Sequence, residues 1–254
     1  MKIVRSISEL RLEGSVGLVP TMGALHAGHV SLFEAARAEN DVVVASLFVN
    51  PAQFDQQADL ARYPRDEARD LEIAEQSGVD VLFAPLPEEM YPDGFATWVV
   101  PEETGAEGSA RPGHFRGVAT VCLKLFAIVR PARAYFGQKD AQQAIVVRRM
   151  VRDLNLGVDV RVLPIVRDAD GLALSSRNVQ LSAAERERAL GLPRALESAA
   201  GADDPVAAAR AQLNGLDPDY VELLDLDGTT LLAAAVRVGS TRLIDNVLLE
   251  GDLA

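Results

Sequence analysis

Histidine is rare and clustered in this chain. The sequence contains three histidines, and all lie in two short glycine-marked segments, residues 21–29 (TMGALHAGH) and 111–114 (RPGH). The first segment follows an apolar run and precedes an amphipathic pattern, which predicts a turn between a strand and a helix. Such a turn would direct free backbone N–H groups and a helix N-terminus at a phosphate. His26 and His29, three residues apart, would then face the same ligand.

Other interpretations of the first segment are open. Gly23 and Gly28 are five residues apart, as in a P-loop, but His29 and Val30 replace the required Lys and Ser/Thr, which excludes a Walker A site. GxGxxG, the dinucleotide-binding fingerprint, is also absent. A helix cap with two surface histidines and an HxxH zinc pair are the remaining alternatives. In the catalytic interpretation, the glycines let the backbone approach phosphates, while His26 and His29 donate hydrogen bonds to oxygens that gain charge in the transition state.

Two later segments add cations and hydroxyls. GQKD, residues 137–140, places Lys139 at the start of a predicted helix, where the helix dipole disfavours a cation, so an anionic ligand is indicated. LSSRN, residues 174–178, supplies Ser175, Ser176 and Arg177, which could hold a polyphosphate. Each segment alone is also typical of a solvated surface. Together they indicate a second phosphate-binding region in the same chain.

Two further sets of polar side chains differ in their interpretation. The first set consists of uncharged amides in loops expected to face the site: Asn50, Gln53 and Gln143. Amides suit the hydroxyl and carboxylate groups of a small substrate, although they are also common on surfaces. The second set consists of acids near the start of one predicted helix: Asp66, Glu67, Asp70 and Glu72. We interpret these acids as a solvated, dipole-compatible helix start in preference to a metal site.

The elements that position these residues alternate between strand and helix. Apolar, β-branched runs predict strands over residues 16–19, 42–49, 79–83, 133–136 and 158–163. Amphipathic patterns predict helices over residues 30–39, 66–77, 117–129, 141–154 and 183–196. This alternation indicates a parallel sheet with crossover helices. In such a sheet, ligands bind beyond the carboxyl ends of the strands, where the candidate motifs fall.

The composition changes after about residue 198, where Ala and Asp become frequent and two strand-like stretches follow, residues 220–226 and 231–238. We therefore predict an α/β fold with two domains. Residues 1–167 form a Rossmann-like, doubly wound parallel-sheet domain, and residues 168–254 form a smaller C-terminal α+β domain. The second domain is expected to act as a lid.

Charge and cysteine content restrict the class of protein. The formal net charge of -12, with no block of Lys and Arg, argues against broad binding to nucleic acid or to an anionic membrane. A polyanionic ligand would have to be small and accompanied by a divalent cation. Cys122 is the single cysteine, which excludes an intrachain disulfide and favours a buried core position. No apolar stretch is long enough to span a bilayer, so we expect a cytoplasmic protein.

Seven segments, in this order, resemble the pantothenate synthetase (pantoate–β-alanine ligase) family: TMGALHAGH, FVNPAQF, YPR at residues 63–65, ARPGHF, YFGQKDAQQ, ALSSRN and GSTRLIDN. HAGH resembles the HxGH element of the wider nucleotidyltransferase superfamily, and LSSR resembles its second, KMSKS-like phosphate loop. The resemblance extends over most of the chain.

The resemblance implies a two-step ligation. The carboxylate of (R)-pantoate would attack the α-phosphorus of Mg-ATP to give pantoyl adenylate and pyrophosphate. The amine of β-alanine would then displace AMP and form pantothenate. The resemblance also implies Mg²⁺ as the cofactor that accompanies ATP, and a homodimer.

The resemblance further assigns residues to substrates. The ATP site would consist of Met22, Gly23, Ala24, Leu25, His26, Ala27, Gly28, His29, Gly137, Gln138, Lys139, Asp140, Val166, Leu174, Ser175, Ser176 and Arg177. Gln53 and Gln143 would bind pantoate, and Gln53 would also contact β-alanine. His29 occupies the position that the family assigns to a proton donor. His26, His29, Lys139 and Arg177 would stabilise charge on the transferring phosphates.

The chain departs from the family pattern at a few positions. Gln138 stands where many relatives have Glu, and Leu174 where many have Met; neither change removes a charged catalytic group. Arg69 and Asp70 align with metal-contacting acids of some relatives, so the protein ligands of Mg²⁺ stay unassigned. The segment around residues 198–216 is short for the family.

Two other functions stay open. One is a nucleotidyltransferase that adds AMP or CMP to a phosphorylated small acceptor. The other is a protein that binds a nucleotide without turnover. The products distinguish them: the ligase releases free AMP and an amide, the nucleotidyltransferase forms a stable dinucleotide-like product, and the binding protein forms neither.

Overall fold

The computed structural model describes residues 1–102, 105–226 and 228–252. Its main feature is a six-stranded parallel sheet with the strand order β1-β4-β3-β2-β5-β6. The strands are β1 Lys2–Val4, β2 Val16–Thr21, β3 Val42–Leu47, β4 Val81–Phe83, β5 Arg133–Gly137 and β6 Asp159–Leu163. The sequence predicted all of these except β1, an edge strand too short to show a periodic pattern.

Ten helices accompany the strands within the described residues. They are α1 Ala27–Glu39, α2 Gln57–Arg62, α3 Glu67–Gln76, α4 Pro87–Met90, α5 Ala106–Ala110, α6 His114–Val129, α7 Ala141–Asp153, α8 Ala183–Ala189, α9 Gly191–Ala199 and α10 Pro205–Gln212. The prediction of one helix over residues 183–196 is wrong, because the chain breaks there into α8 and α9. Pro193 explains the break, since its ring nitrogen cannot donate to the carbonyl of Ala189 and its ring disfavours a continuous helix.

The sheet has one apolar layer on each face. Val19, Val43 and Ala45 pack on one face against α1 and α3, whereas Leu18 and Val44 point to the opposite face, which α6 and α7 cover. The alternation follows from the period of two residues in a strand. Cys122 of α6 lies free in the second layer, 3% exposed, as predicted, and burial raises the pKa of its thiol to about 12.

The order of the strands places a crevice next to β2. After β2 the chain adds β3 and β4 on one side, and it then crosses to add β5 and β6 on the other side. The loops that leave β2 and β5 therefore diverge. This topological switch point is where open parallel sheets bind their ligands.

A three-stranded antiparallel sheet forms the C-terminal part, with β7 Asp217–Leu226, β8 Thr229–Val238 and β9 Thr241–Glu250 in that order. Its central strand, β8, is buried on both faces. In β8, Leu232, Ala234 and Val236 pack in a core with α9, whereas Leu231, Ala233 and Ala235 pack in the core that also contains α6 and α7. The α/β fold with a smaller second sheet is confirmed. The boundary between residues 167 and 168 stays a prediction.

The third strand of this sheet was not predicted, because two polar residues interrupt its apolar pattern. Asp245 and Asn246 are 2% and 3% exposed. Asp245 accepts two hydrogen bonds from Arg167, at 2.7 and 3.1 Å. Asn246 Nδ2 donates to the carbonyl oxygens of Gln138 and Lys139, at 2.9 and 3.1 Å. Asn246 thus connects the small sheet to the turn after β5, and Asp245 connects it to the segment after β6.

None of the helices in the described ranges combines the length and apolarity needed to cross a membrane.

Candidate active site

A cavity of about 230 Å³ opens at the carboxyl ends of the central strands. It collects most of the residues that the sequence singled out: Met22, His26, Gly28, His29, Asn50, Gln53, Gly137, Lys139, Asp140, Gln143, Val166, Leu174, Ser175, Ser176 and Arg177. Arg111 and His114, from the second histidine segment, also line it. Five of the predicted ATP-binding residues do not line it: Gly23, Ala24, Leu25, Ala27 and Gln138. Segments that lie far apart in the sequence thus share one cavity.

The two histidines at the start of α1 form a reciprocal cap. His26 Nδ1 accepts a hydrogen bond from the backbone N–H of Gly28, and His29 Nδ1 accepts one from the N–H of His26, both at 3.2 Å. A nitrogen that accepts carries no hydrogen, so each neutral ring keeps its hydrogen on Nε2. The helix-cap interpretation is therefore right about the cap, but both rings line the cavity instead of an open surface.

Burial keeps both rings neutral. It lowers the pKa of His26 to about 4, with a further contribution from the nearby Lys139 ammonium. It lowers the pKa of His29 to about 3, with smaller contributions from His26 and Lys139. At neutral pH the two rings can thus donate hydrogen bonds from Nε2 but carry no charge. The zinc interpretation finds no support, since no three or more His, Cys, Asp or Glu side chains within the described ranges could hold a metal.

Three backbone N–H groups of the turn before α1 are occupied within the protein, so the prediction of free N–H groups is wrong at residues 23–25. The N–H groups of Ala24 and Leu25 donate to the carboxylate of Asp70, at 2.9 and 2.7 Å, and that of Gly23 donates to Thr21 Oγ1 at 3.4 Å. Ala24 has a φ of 49°, a left-handed conformation that costs energy for a residue with a Cβ. We infer that the two hydrogen bonds to Asp70 hold this turn in place.

The interpretation of the acids in α3 must be corrected at one position. Asp70 is 2% exposed and its carboxylate faces the turn of residues 23–25, so it is not part of a solvated helix start. Burial raises its pKa, and the hydrogen bonds from Leu25 and Ala24 oppose that effect. The other acids do lie on the exposed side: Asp66 caps α3 by accepting from Arg69 N, Glu67 pairs with Arg5, and Glu72 accepts from Gln76.

Asp70→Asn is expected to loosen this turn. An amide keeps one acceptor but places an NH₂ group against the second backbone N–H, which leaves buried donors without a partner. We expect the free energy of unfolding to fall by about 1–3 kcal/mol and KM for ATP to increase. Urea unfolding and steady-state kinetics measure the two effects. Asp66→Asn is the matched control, because Asn caps a helix as well as Asp does; equal losses in both variants would contradict the role of Asp70.

Lys139 lies in a single 3-10 turn, Gln138–Asp140, between β5 and α7. Its ammonium is 3.8 Å from the carboxylate of Asp140, and its side chain is 19% exposed. Asn246 of β9 holds the carbonyl oxygens of this turn from the other side. The Gln138 side chain also turns to Asn246, at 3.2 Å, which explains why it does not line the cavity.

The segment with Arg177 docks on the turn before α1. Ser176 Oγ is 3.0 Å from the carbonyl oxygen of Ala24 and 3.3 Å from that of Gly23. Arg177 forms an ion pair with Asp59 of α2 at 2.9 Å, and its guanidinium lies 5.9 Å from the ring of Tyr63. The two predicted phosphate-binding segments are therefore in direct contact, although more than 150 residues separate them in the chain.

Arg111 and His114 contact the backbone of Gln53, a predicted substrate-binding residue. His114 Nδ1 donates to the carbonyl oxygen of Gln53 at 2.8 Å, and Arg111 Nη2 donates to the same oxygen at 3.3 Å. Arg111 Nη1 is 3.3 Å from His114 Nε2, which then accepts. Burial, followed by the charge of Arg111, lowers the pKa of His114 to about 4. The sequence marked this segment by its histidine but did not predict its contact with Gln53.

The buried histidines predict that the protein loses stability in acid. Unfolded histidine has a pKa of 6.5, whereas the folded pKa values are about 4 for His26 and His114 and about 3 for His29. Below pH 6.5 the unfolded chain therefore binds protons that the folded chain does not, and the free energy of unfolding falls as the pH falls. Each histidine contributes up to about 1.4 kcal/mol per pH unit in this range. Urea unfolding at pH 7 and 5.5 measures the difference, which should be smaller in His29→Gln; equal stability at both pH values would contradict it.

Comparison with known proteins gives consistent matches over nearly the whole chain. A family model described as pantoate-beta-alanine ligase matches residues 1–248. The curated pantothenate synthetase of Roseiflexus sp. (strain RS-1) is 53% identical over 277 residues, which covers 98% of this chain and 100% of the relative. That of Moorella thermoacetica is 54% identical over 258 residues, which covers 93% of this chain and 91% of the relative.

Solved structures agree with these sequence matches. Pantothenate synthetase from Thermus thermophilus has a TM-score of 0.94 and 45% identity, covering 99% of this chain and 100% of that chain. Pantoate-beta-alanine ligase from Francisella tularensis, complexed with beta-gamma ATP and beta-alanine, has a TM-score of 0.87 and 36% identity, covering 100% of both chains. The chain therefore belongs to the pantoate-beta-alanine ligase family, whose members are carbon–nitrogen ligases.

Proposed function

We propose that this enzyme condenses (R)-pantoate with β-alanine to form pantothenate, AMP and pyrophosphate, with pantoyl adenylate as the intermediate. The observation that carries the proposal is the shared cavity, where the imidazoles of His26 and His29, the cations of Lys139 and Arg177 and the amide of Gln53 meet. Imidazoles and cations suit a triphosphate, and amides suit a small hydroxy acid. The complex of the Francisella relative with an ATP compound and β-alanine supports two of the substrates.

Chemistry explains the order of the two steps. A carboxylate is a poor electrophile, so a direct attack by the amine is slow. In the first step, a carboxylate oxygen of pantoate bonds to the α-phosphorus of ATP, and the bond from that phosphorus to the bridging oxygen breaks to release pyrophosphate. In the second step, the β-alanine nitrogen bonds to the acyl carbon, the acyl C–O bond breaks to release AMP, and the nitrogen loses its proton.

The cavity residues would act mainly by stabilising negative charge on the phosphates of ATP. His26 and His29 would donate hydrogen bonds from Nε2 to phosphate oxygens. Burial lowers the pKa of His29 to about 3 in the ligand-free protein, so ATP meets a neutral ring that can donate a hydrogen bond from Nε2. Lys139 and Arg177 would neutralise the charge that moves onto the leaving pyrophosphate. Gly28, Val166 and Leu174 to Arg177 would surround the nucleotide.

The pantoate subsite is assigned to the two cavity-lining glutamines. Gln53 and Gln143 would bind the hydroxyl and carboxylate oxygens of pantoate, and Gln53 would also contact β-alanine. Ser176 holds the segment of Arg177 against the turn before α1, so that Arg177 would lie beside bound ATP. Closure of this segment over ATP stays a prediction. The homodimer that the family resemblance implies and the cytoplasmic location inferred from the sequence stay predictions.

The described residues do not form a resident metal site. No suitable cluster of ligands exists among them, and Asp140 is the one acid of the described ranges that lines the cavity. Asp70, which aligns with metal-contacting acids of some relatives, has both carboxylate oxygens bound to backbone N–H groups. We therefore propose that Mg²⁺ enters as part of the Mg-ATP substrate, coordinated by the phosphates.

Exchange of labelled pyrophosphate into ATP tests this function. The two-step scheme requires exchange that depends on pantoate and proceeds without β-alanine, because the first step is then reversible by itself. Product analysis with all substrates should show AMP and pantothenate in equal amounts. A folded enzyme that shows no exchange, or that accumulates a stable nucleotide conjugate of a phosphorylated acceptor, would contradict the proposal and favour the nucleotidyltransferase.

A further inference from the structure

The amide of Asn50 has an orientation that the backbone fixes. Asn50 is 1% exposed and follows β3. Its Oδ1 accepts from the N–H of Ala52 at 3.3 Å, and its Nδ2 donates to the carbonyl oxygen of Gly117 at 3.2 Å. A backbone N–H can only donate and a backbone carbonyl can only accept, so the two ends of the amide cannot be exchanged.

This orientation determines which end of Gln53 faces the cavity. Asn50 Nδ2 has a second hydrogen, which it donates to the side chain of Gln53 at 2.9 Å, and the accepting atom must be Oε1. Nε2 is the remaining end of this amide. Gln53 lines the cavity, and no hydrogen bond from Nε2 to another of the described residues is found. Gln53 therefore presents a hydrogen-bond donor to the cavity.

A fourth partner, outside the cavity, completes the hydrogen bonds of the Asn50 amide. Tyr91 Oη donates to Asn50 Oδ1 at 2.8 Å, so all four hydrogen-bonding positions of the Asn50 amide are occupied. The Tyr91 ring is held by aromatic neighbours: its centroid is 5.1 Å from that of Phe95, in an edge-to-face arrangement, and 6.2 Å from that of Trp98. Tyr91 lies directly after α4 and does not line the cavity.

We propose that Tyr91 is a positioning residue for substrate recognition: through Asn50 it fixes Gln53 so that Nε2 donates a hydrogen bond to an oxygen of pantoate. The inference rests on the proposed function, which supplies pantoate as the occupant. Without the Tyr91 hydroxyl, Asn50 keeps only the weaker 3.3 Å bond at Oδ1. The backbone bonds of Asn50 still set which end of Gln53 faces the cavity, but both amides are held less firmly in position. Nε2 is then aligned less well with the oxygen of pantoate, and their hydrogen bond is weaker.

Tyr91→Phe tests this role, because it removes the hydroxyl and retains the ring contacts that hold the protein together. We expect KM for pantoate to rise by about 3- to 10-fold, the effect of one hydrogen bond, while KM for ATP changes less than about 2-fold. Tyr220→Phe is the matched control. It removes another buried tyrosine hydroxyl, one that donates to Glu107 outside this cavity, and should leave both constants unchanged.

A double-variant comparison separates positioning from a general structural effect. In a Gln53→Ala background, Tyr91 and Asn50 have no glutamine side chain to orient, so adding Tyr91→Phe should not raise KM for pantoate further. An equal rise in both backgrounds, an equal rise for ATP and pantoate, or an unchanged KM for pantoate in Tyr91→Phe would each overturn the inference. Failure of the proposed function is distinguishable, because the unaltered enzyme would then show no pantoate-dependent exchange.

Discussion

Lys139→Ala is expected to lower the rate of pantoyl adenylate formation by about 10²-fold or more, by analogy with the loss of one donor that stabilises a developing oxyanion. The ammonium lies at the switch point of the sheet, close enough to influence the pKa of both His26 and His29. Asp140 is its only ion-pair partner among the described residues, at 3.8 Å, so its charge is available to a phosphate. Single-turnover formation of pyrophosphate at saturating ATP measures the chemical step.

Lys139 could stabilise the transition state of adenylation or only bind ATP in the ground state, and the kinetic constants distinguish these two roles. If Lys139→Ala raised KM for ATP while kcat stayed intact, the lysine would bind the ground state only and the proposed role would be wrong. Lys2→Ala provides the control for loss of an ammonium group. Lys2 lies on the edge strand β1 and donates to the carbonyl oxygen of Glu9, so its removal should leave the rate unchanged.

Gly117→Ala is expected to have the second largest effect, although the change adds a single carbon. A Cβ at this position would lie 2.6 Å from Gln53 Cα and 2.5 Å from the carbonyl carbon of Ala52. These atoms belong to the backbone turn Pro51–Gln53, which would have to move away from α6. Overpacking of this kind costs about 1–3 kcal/mol of stability, and a displacement of about 1 Å at Gln53 can reduce turnover by about 10²-fold.

Thermal unfolding and pantoate kinetics together measure both consequences of Gly117→Ala. Gly201→Ala is the control, because a Cβ there meets no atom within 4 Å. If Gly117→Ala retained normal pantoate kinetics, the close contact between α6 and the Pro51–Gln53 turn would not be what positions Gln53. A loss of stability in both variants would instead indicate a general sensitivity to glycine replacement.

Local pattern was sufficient to predict most of the fold. Strands β2 to β6 are apolar runs between helical patterns, so each is recognisable without knowledge of its neighbours. The sequence did not predict the short helices α2, α4, α5 and α10 or the strands β1 and β9. The two missed strands depend on the rest of the molecule. β1 is stabilised by its pairing with β4, and β9 tolerates Asp245 and Asn246 because these residues bond to other parts of the chain.

The residues of the candidate site also fall into two groups: those that local sequence signals reveal and those that only long-range contacts reveal. His26, His29, Lys139 and Arg177 could be found because glycines or strand ends mark their segments. Their roles still depend on the experiments above. Asp70 and Tyr91 could not be found from sequence, since the importance of each lies in a contact with a segment more than 40 residues away. An aspartate in a helix rich in acids and a tyrosine among aromatics carry no local signal of such contacts.

The contact of Asn246 with the Lys139 turn has a consequence for folding during synthesis. Asn246 lies 107 residues after Lys139 in the chain. A nascent chain on the ribosome therefore completes all six strands of the parallel sheet before the amide that anchors this turn has been synthesised. We expect that chains terminated before residue 246 cannot hold the ammonium in place, so that they do not consume ATP.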